Sequence, residues 1–461
     1  MHYPVRSATR PLFYSVLIAL LLFAVTLLYS AQTVATKSLS TGHIGADGGH
    51  APIYRVYGKQ APTRADCLAT GYPCYTPQDL QTAYDVNPLL SKGFTGKGQT
   101  IVIIDSYGSP TALADLKHFD ADYGLPDPPS FQQLSPLGSV PFDPTNSDQQ
   151  GWAVETSLDV QWAHSMAPGA SIVVLTSPVS ETEGVQGLPQ FLQLEQYAVD
   201  HHLGKIISQS WSATENTLFS PAGEQQVLEP FNSFYERAAL ESHVSIFAST
   251  GDSGSSNPDV NGNIYHEPTV GFPASSPWVT AVGGTSLYTD AQGNYQSESV
   301  WNESALGGGA GGGGISQYYS EPLYQKLLPA SDQKLLNGHR GIPDISMVGD
   351  PYTGVPLYLG FPGIPSGYYI YGGTSLSSPL WAGLTAVANQ YAGHPLGFLN
   401  PKLYLLGSNS HVSKYFLHDI TTGNNAYNGI PGYNATPGWD AASGLGSPIA
   451  AQLVQALKYT P

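Results

Sequence analysis

The sequence predicts an α/β fold: one large domain whose parallel sheet carries helices on both faces. Three observations point there. Short apolar β-runs recur at GQTIVIIDSYG (98–108), SIVVL (171–175), KIISQS (205–210) and VSIFAST (244–250), each of the length of a buried parallel strand. Helical patterns separate them, among them GWAVETSLDVQWAHSM (151–166) and FNSFYERAALES (231–242), and such alternation favours a parallel sheet. No linker-like break interrupts residues 75–461.

Along the chain, Arg6 and Arg10 precede an uncharged run, Leu12–Ala31, of bilayer-spanning length. A positive flank followed by an apolar run reads as an export signal or a signal anchor over residues 1–35. The run is long for a signal peptide, which tilts the expectation toward a retained anchor and membrane attachment through residues 12–31. Either way the rest is expected outside the cell, secreted or held on the outer face. Residues 36–70 are polar and dotted with Gly and Pro, as in a linker or short leader. Cys67 and Cys74 are the only cysteines, and in an exported protein they suit a short-loop disulfide. Order is expected to begin at TPQDLQTAYDV (76–86), within a domain spanning 71–461. There Thr76 suits an N-cap, Pro77 the first helical position, and Asp79 the first turn.

Composition narrows the function classes. Lys and Arg number 17 against 34 Asp and Glu, a net charge of −17, which argues against nucleic acid as a partner. Charged residues are only 11% of the chain, against roughly 25% in ordinary soluble domains. A fold with few ion pairs has few to lose when carboxylates protonate. That suits an acidic medium, and equally a secreted protein with a neutral surface. A monomer is the expectation.

The pentapeptide GGTSL occurs at 283–287 and again at 372–376, offering Ser286 and Ser375 as nucleophiles. Ser286 follows the β-like VTAV and precedes a hairpin signal at Gln292-Gly293-Asn294, so a strand or turn role fits it. Ser375 instead follows a Gly-rich turn and opens a helical stretch, with Pro379 expected in the first turn. A serine there gains the positive helix end and free N–H groups for a developing oxyanion. Ser375 is the candidate nucleophile.

A serine needs a base. A subtilisin-type triad would require an Asp, for which Asp105 could serve, and a His. None of the 13 histidines is followed by Gly, and His164 reads as structural or surface. Glu155 and Asp159 lie four apart on a helical pattern, hence on one face. They form either a solvated acidic face or a carboxyl pair sharing a proton in a cleft.

The ordered set ETSLD, WAHSMAPGASI, ASTGDSGSS (248–256), FPASSPWVTAVGGTS (272–286), GGGGISQYYSEPLYQ (311–325), RGIPDISMVGDPYTG (340–354) and GGTSLSSP (372–379) resembles the sedolisin, or serine-carboxyl peptidase, family from about Thr76 to Pro448. The resemblance implies a subtilisin-like fold and an acid-active serine peptidase acting on protein or peptide substrates. It implies Ser375 as nucleophile, Glu155 as general base, and Asp159 as the hydrogen-bonded partner that tunes Glu155. Asp252, by itself an ordinary turn residue, would then donate to the oxyanion with the Ser375 N–H. It also implies one structural Ca2+ on the Asp419 and Asp440 side chains and the carbonyls of Ile420, Thr436 and Gly438. Thr436 stands where the family often has Gly. Family members usually carry a large prodomain, whereas about forty residues here separate the apolar run from the catalytic region. The Gly-rich run 307–314 lacks a following GK[ST], so cleft-wall backbone or a flexible connection is expected rather than phosphate binding. The rival classes are a non-catalytic exported binding module on the same scaffold and a neutral subtilisin-type protease.

Overall fold

The computed structural model of the protein describes residues 54–306 and 308–460. The apolar run 12–31 and the candidate signal or anchor lie outside the described residues. Among the described residues no helix is long and apolar enough to cross a membrane.

Eight strands form the central sheet. Its order is Tyr295–Val300, Thr280–Thr289, Ser245–Ser249, Ile206–Gln209, Thr100–Ser106, Ser171–Ser177 and Phe131–Leu134, with Ile345–Val348 also paired to Thr280–Thr289. All neighbours run parallel except Tyr295–Val300, which returns antiparallel from Thr280–Thr289. The four β-runs anticipated from sequence are therefore strands, and Ser286 lies within Thr280–Thr289, opposite Ser299 across the hairpin.

Successive strand residues face opposite layers. Ile101 and Ile103 join a core beneath the helices Ser147–Met166 and Thr374–Ala392, while Val102 and Ile104 join one beneath Leu188–Asp200 and Glu229–Leu240. Helices on both faces follow from strands that are apolar on both sides.

The helix Pro77–Ala83 has the expected cap: Thr76 and Asp79 exchange hydrogen bonds in a capping box. Structure starts earlier than Thr76, however. Tyr54–Gly58 is a strand, Thr63 caps a helix at Arg64–Leu68, and Cys67 and Cys74 are disulfide-bonded. The early strand pairs antiparallel with Gly367–Tyr371, which also pairs with Val355–Leu359. It thus rests on the segment that leads into the helix carrying Ser375.

Candidate active site

Three adjacent parallel strands deliver the site at their C-terminal ends, where open α/β sheets place their ligands. Asp105 ends Thr100–Ser106, Ser210 follows Ile206–Gln209, and Thr250 to Asp252 follow Ser245–Ser249. The helices Ser147–Met166 and Thr374–Ala392 lie across this region on the same face. They approach so closely at Gly383 that a Cβ there would lie 2.7 Å from the Ala163 carbonyl oxygen.

Ser375 is the second residue of its helix, so its N–H is among the first-turn amides that lack an intrahelical acceptor. Gly373 caps the helix with φ +107°, a conformation that suits glycine. A Cβ at this position would lie 2.8 Å from Asp252 Oδ2. Gly373→Ala is therefore expected to lower kcat by about tenfold or more, because displacements near 1 Å at a reacting centre are costly. Steady-state kinetics check this; an unchanged kcat would show that the tight turn is immaterial.

Pro379 corrects the sequence expectation. It is the sixth residue of the helix, not part of its first turn. Without an N–H, it cannot donate to the Ser375 carbonyl four residues earlier. The Ser210 hydroxyl reaches that carbonyl instead at 3.3 Å, and it also donates to Asp159 Oδ1 at 2.8 Å. Proline at 379 thus leaves an acceptor that ties the Ser375 backbone to the carboxyl cluster.

Asp252 is clamped beside the turn that leads to Ser375. Its Oδ1 accepts the Thr374 amide at 2.7 Å and the Thr374 hydroxyl at 2.9 Å, and the Gly251 amide donates to that hydroxyl at 3.0 Å.

Glu155 and Asp159, both buried, lie on the inward face of Ser147–Met166, which decides against the solvated acidic face. Burial, and then the Asp105 charge, push Glu155 well above the ordinary carboxylate range, while the Ser375 hydroxyl favours its ionised form. Neither Glu155 oxygen has a fully formed hydrogen bond; catalytic pairs are often loose before substrate tightens them. Asp159 is also raised, first by burial and then by Asp105 and Glu155. Its coupling to Glu155 is electrostatic, in place of the expected direct hydrogen bond. Among the described residues, the Asp105, Asp252 and Glu181 carboxyls and the Ser375 hydroxyl act on Glu155. His164 is buried elsewhere, 2.8 Å from the Pro126 carbonyl and 3.4 Å from Asp120, so it is structural.

Asp105 is the residue that sequence reasoning placed in the wrong company. Set beside a missing histidine, it looked like half of an absent triad. In the structure it completes the carboxyl cluster, fully buried and pushed up to about 7 by that burial. Glu181, on the loop after Ser171–Ser177, also raises Glu155. Only the i, i+4 spacing of Glu155 and Asp159 signalled such a cluster, and it could not show which other carboxylates the sheet brings to it.

Near the C-terminus, the Gly438 amide donates to Asp419 at 3.1 and 3.2 Å, and the Thr436 amide donates to Asp440 at 2.9 Å. Both carboxylates thus bracket the 436–438 backbone. Burial raises both, Asp440 to about 6, and no ion pair among the described residues engages either. Among the described residues no group of three or more His, Cys, Asp or Glu side chains could hold a metal. Two carboxylates, and the Ile420 carbonyl that shares the Ser443 hydroxyl with Asp440, are oxygen ligands of the kind a hard cation takes.

A serine at a helix start, set against a buried carboxyl cluster above a parallel sheet with helices on both faces, is an arrangement of the subtilisin-like fold class. Comparison agrees. The subtilase family model matches residues 146–432. Kumamolisin of Bacillus sp. (strain MN-32) is 36% identical over 394 residues, covering 83% of this chain and 63% of its own length. Sedolisin of Pseudomonas sp. (strain 101) is 33% identical over 377 residues, covering 80% and 58% respectively. The chain thus spans less than two thirds of these curated relatives. The solved structure of Pseudomonas sedolisin, a serine-carboxyl proteinase complexed with two molecules of pseudo-iodotyrostatin, superimposes with a TM-score of 0.70. It is 31% identical and covers 84% of this chain and 98% of that one. The chain belongs to the subtilase family and, within it, to the sedolisins.

Proposed function

We propose that this protein is an exported, acid-active serine-carboxyl peptidase that cleaves peptide bonds through an acyl-enzyme on Ser375. One observation carries the proposal: the Ser375 hydroxyl faces Glu155, and the groups acting on Glu155 include carboxylates but no histidine. Ser375 Oγ attacks the scissile carbonyl carbon while Glu155 takes its proton. The oxyanion receives hydrogen bonds from the protonated Asp252 carboxyl and the Ser375 N–H. Collapse breaks the C–N bond, and Glu155 returns the proton to the leaving amine. Water then repeats the sequence, with Glu155 again as base, to release the acid product and restore Ser375.

The charge state sets the pH window. Titrations of Asp105, Glu155 and Asp159 belong to the cluster as a whole. One carboxylate must be ionised to take the serine proton, and in this reading it is Glu155, the one beside the Ser375 hydroxyl. Activity should rise above the usual carboxyl range of about 4, because the cluster is raised. It should fall again as the remaining cluster protons leave. The test is a pH–rate profile on a peptide library. A bell with its maximum below neutrality supports the proposal, and a single rise to a neutral or alkaline plateau would point to imidazole chemistry. Export is supported by the Cys67–Cys74 disulfide, which fits an oxidising compartment, and by the apolar run 12–31.

We extend the proposal to one Ca2+ held by the Asp419 and Asp440 carboxylates and the carbonyls of Ile420, Thr436 and Gly438. When bound it supplies positive charge that stabilises the loop. A chelator is expected to lower the melting temperature and added Ca2+ to restore it. A melting curve indifferent to both would remove the site.

A further inference from the structure

The first GGTSL ends on an acidic neighbour. Ser286 Oγ donates to Asp350 Oδ2 at 2.7 Å, and the Tyr352 amide donates to Asp350 Oδ1, also at 2.7 Å. Asp350 is in turn hydrogen-bonded, carboxyl to carboxyl, with Glu303. Two carboxyl groups can bond in this way only while a proton lies between them.

The two ends of this contact belong to different parts of the site. Asp350 sits in a turn fastened to Thr285, whose carbonyl accepts the Gly349 and Asp350 amides at 2.9 and 3.1 Å. Gly349 accepts the Gly373 amide at 2.5 Å, and a Cβ on Gly372 would lie 2.3 Å from the Gly349 oxygen. The turn therefore abuts the backbone that leads directly to Ser375. Glu303 sits on the glycine-rich strap, closed by the Glu303 amide on the Gly309 carbonyl at 2.8 Å. The strap grips the other half of the site: the Ala310 amide donates to the Asp252 carbonyl at 2.9 Å, and the Gly312 amide to the Gly251 carbonyl at 2.7 Å.

We infer that Glu303 and Asp350, aligned by Ser286, form a proton-dependent clasp that fixes the Asp252 strap against the nucleophile turn. Ser286 is thus a positioning residue for Ser375, and Asp350 passes the alignment on. Burial and the Asp350 charge push Glu303 up to about 7, so the proton is retained across the acidic range. Other titratable groups nearby are Asp252, reached through the strap, and Glu298, which takes the Thr285 and Tyr84 hydroxyls. The first turn of the serine helix, Thr374 to Ser377, brings none that titrates there. Above neutrality Glu303 gives up that proton, the carboxyl-to-carboxyl bond is lost and the strap is freed.

The activity test rests on the peptidase reading, so it is paired with one that does not. At about pH 5, Glu303→Ala is expected to lower kcat by about tenfold with KM within about threefold, a positioning loss. Glu303→Gln, which can donate the same hydrogen bond, is expected to restore kcat. In parallel, hydrogen exchange of the 303–312 amides is followed in Ser375→Ala protein, corrected for intrinsic rates. Protection should fall between about pH 5 and pH 8 with Glu303 present, and persist when Glu303→Gln is added to the same background. Equal kcat in Glu303→Ala and wild type, or equal loss of protection with and without Glu303→Gln, would overturn the clasp. Exchange reads the strap whether or not peptide is cleaved, so a failed peptidase reading and a failed clasp are told apart.

Discussion

Glu155→Gln and Ser375→Ala are each expected to abolish peptide hydrolysis while leaving the fold in place. Glutamine keeps the shape of Glu155 but cannot accept the serine proton, so the barrier rises by the whole contribution of the base. Losing a general base typically costs 10²–10⁴-fold, and losing the nucleophile removes the acyl route entirely. A fall in kcat of about 10³-fold or more is expected for either variant, with little change in melting temperature. The folding side is favourable: Glu155 is buried, its pKa is raised mainly by burial, and an uncharged amide carries a smaller desolvation cost than a carboxylate. The double variant should be little worse than either single one, because base and nucleophile act as a unit. Kinetics on the three variants, with thermal melts as the folding control, check this; turnover in Glu155→Gln near the wild-type rate would remove Glu155 from the base role.

The second large effect concerns stability. Burial raises Asp105 to about 7, Asp115 to about 6, Asp120 to about 8 and Glu183 to about 7, and Glu155, Asp159, Glu181 and Glu195 also lie well above their usual range. The folded protein therefore retains protons that the unfolded chain has lost. Stability is fully present below the unfolded values near 4 and is lost as pH rises through the folded ones. His164 and His418 oppose this, since burial lowers both to about 4 and folding then gains between about 4 and 6.5. Two histidines set against eight carboxyls leave the sign with the carboxyls. A melting temperature lower by several degrees at pH 8 than at pH 5 follows. Calorimetry on Ser375→Ala protein, which avoids self-digestion, tests this, and a melting temperature that rises over that interval would contradict it. The low charge content of the sequence pointed in this direction through scarce ion pairs. The structure adds the stronger cause, carboxyls buried without cations.

Much of the site was legible because it depends on local patterns. Alternating β-runs and helices gave the layered sheet, the i, i+4 spacing put Glu155 and Asp159 on one face, and a Gly-rich turn before an apolar helix singled out Ser375. What stayed hidden depends on which strands are neighbours. Asp252 by itself reads as a turn residue, and only the family resemblance singled it out; in the fold the end of Ser245–Ser249 meets Thr374, 122 residues away. Asp105 joins the cluster because the helix Ser147–Met166 packs over Thr100–Ser106. The strand Tyr54–Gly58 has no pattern of its own to announce it, and it exists because Gly367–Tyr371 offers an edge. Pro379 was misplaced by two or three residues, since a helix start read from sequence lacks the geometry of its cap.

The most direct measurement locates the covalent intermediate. Protein mixed with an activated acyl substrate is quenched in acid, digested and mapped by mass spectrometry. The acyl group is predicted on Ser375 in wild-type protein and absent when Glu155→Gln is treated alike. An adduct on Ser286 or elsewhere, or full acylation of Ser375 without Glu155, would contradict the carboxylate-activated serine.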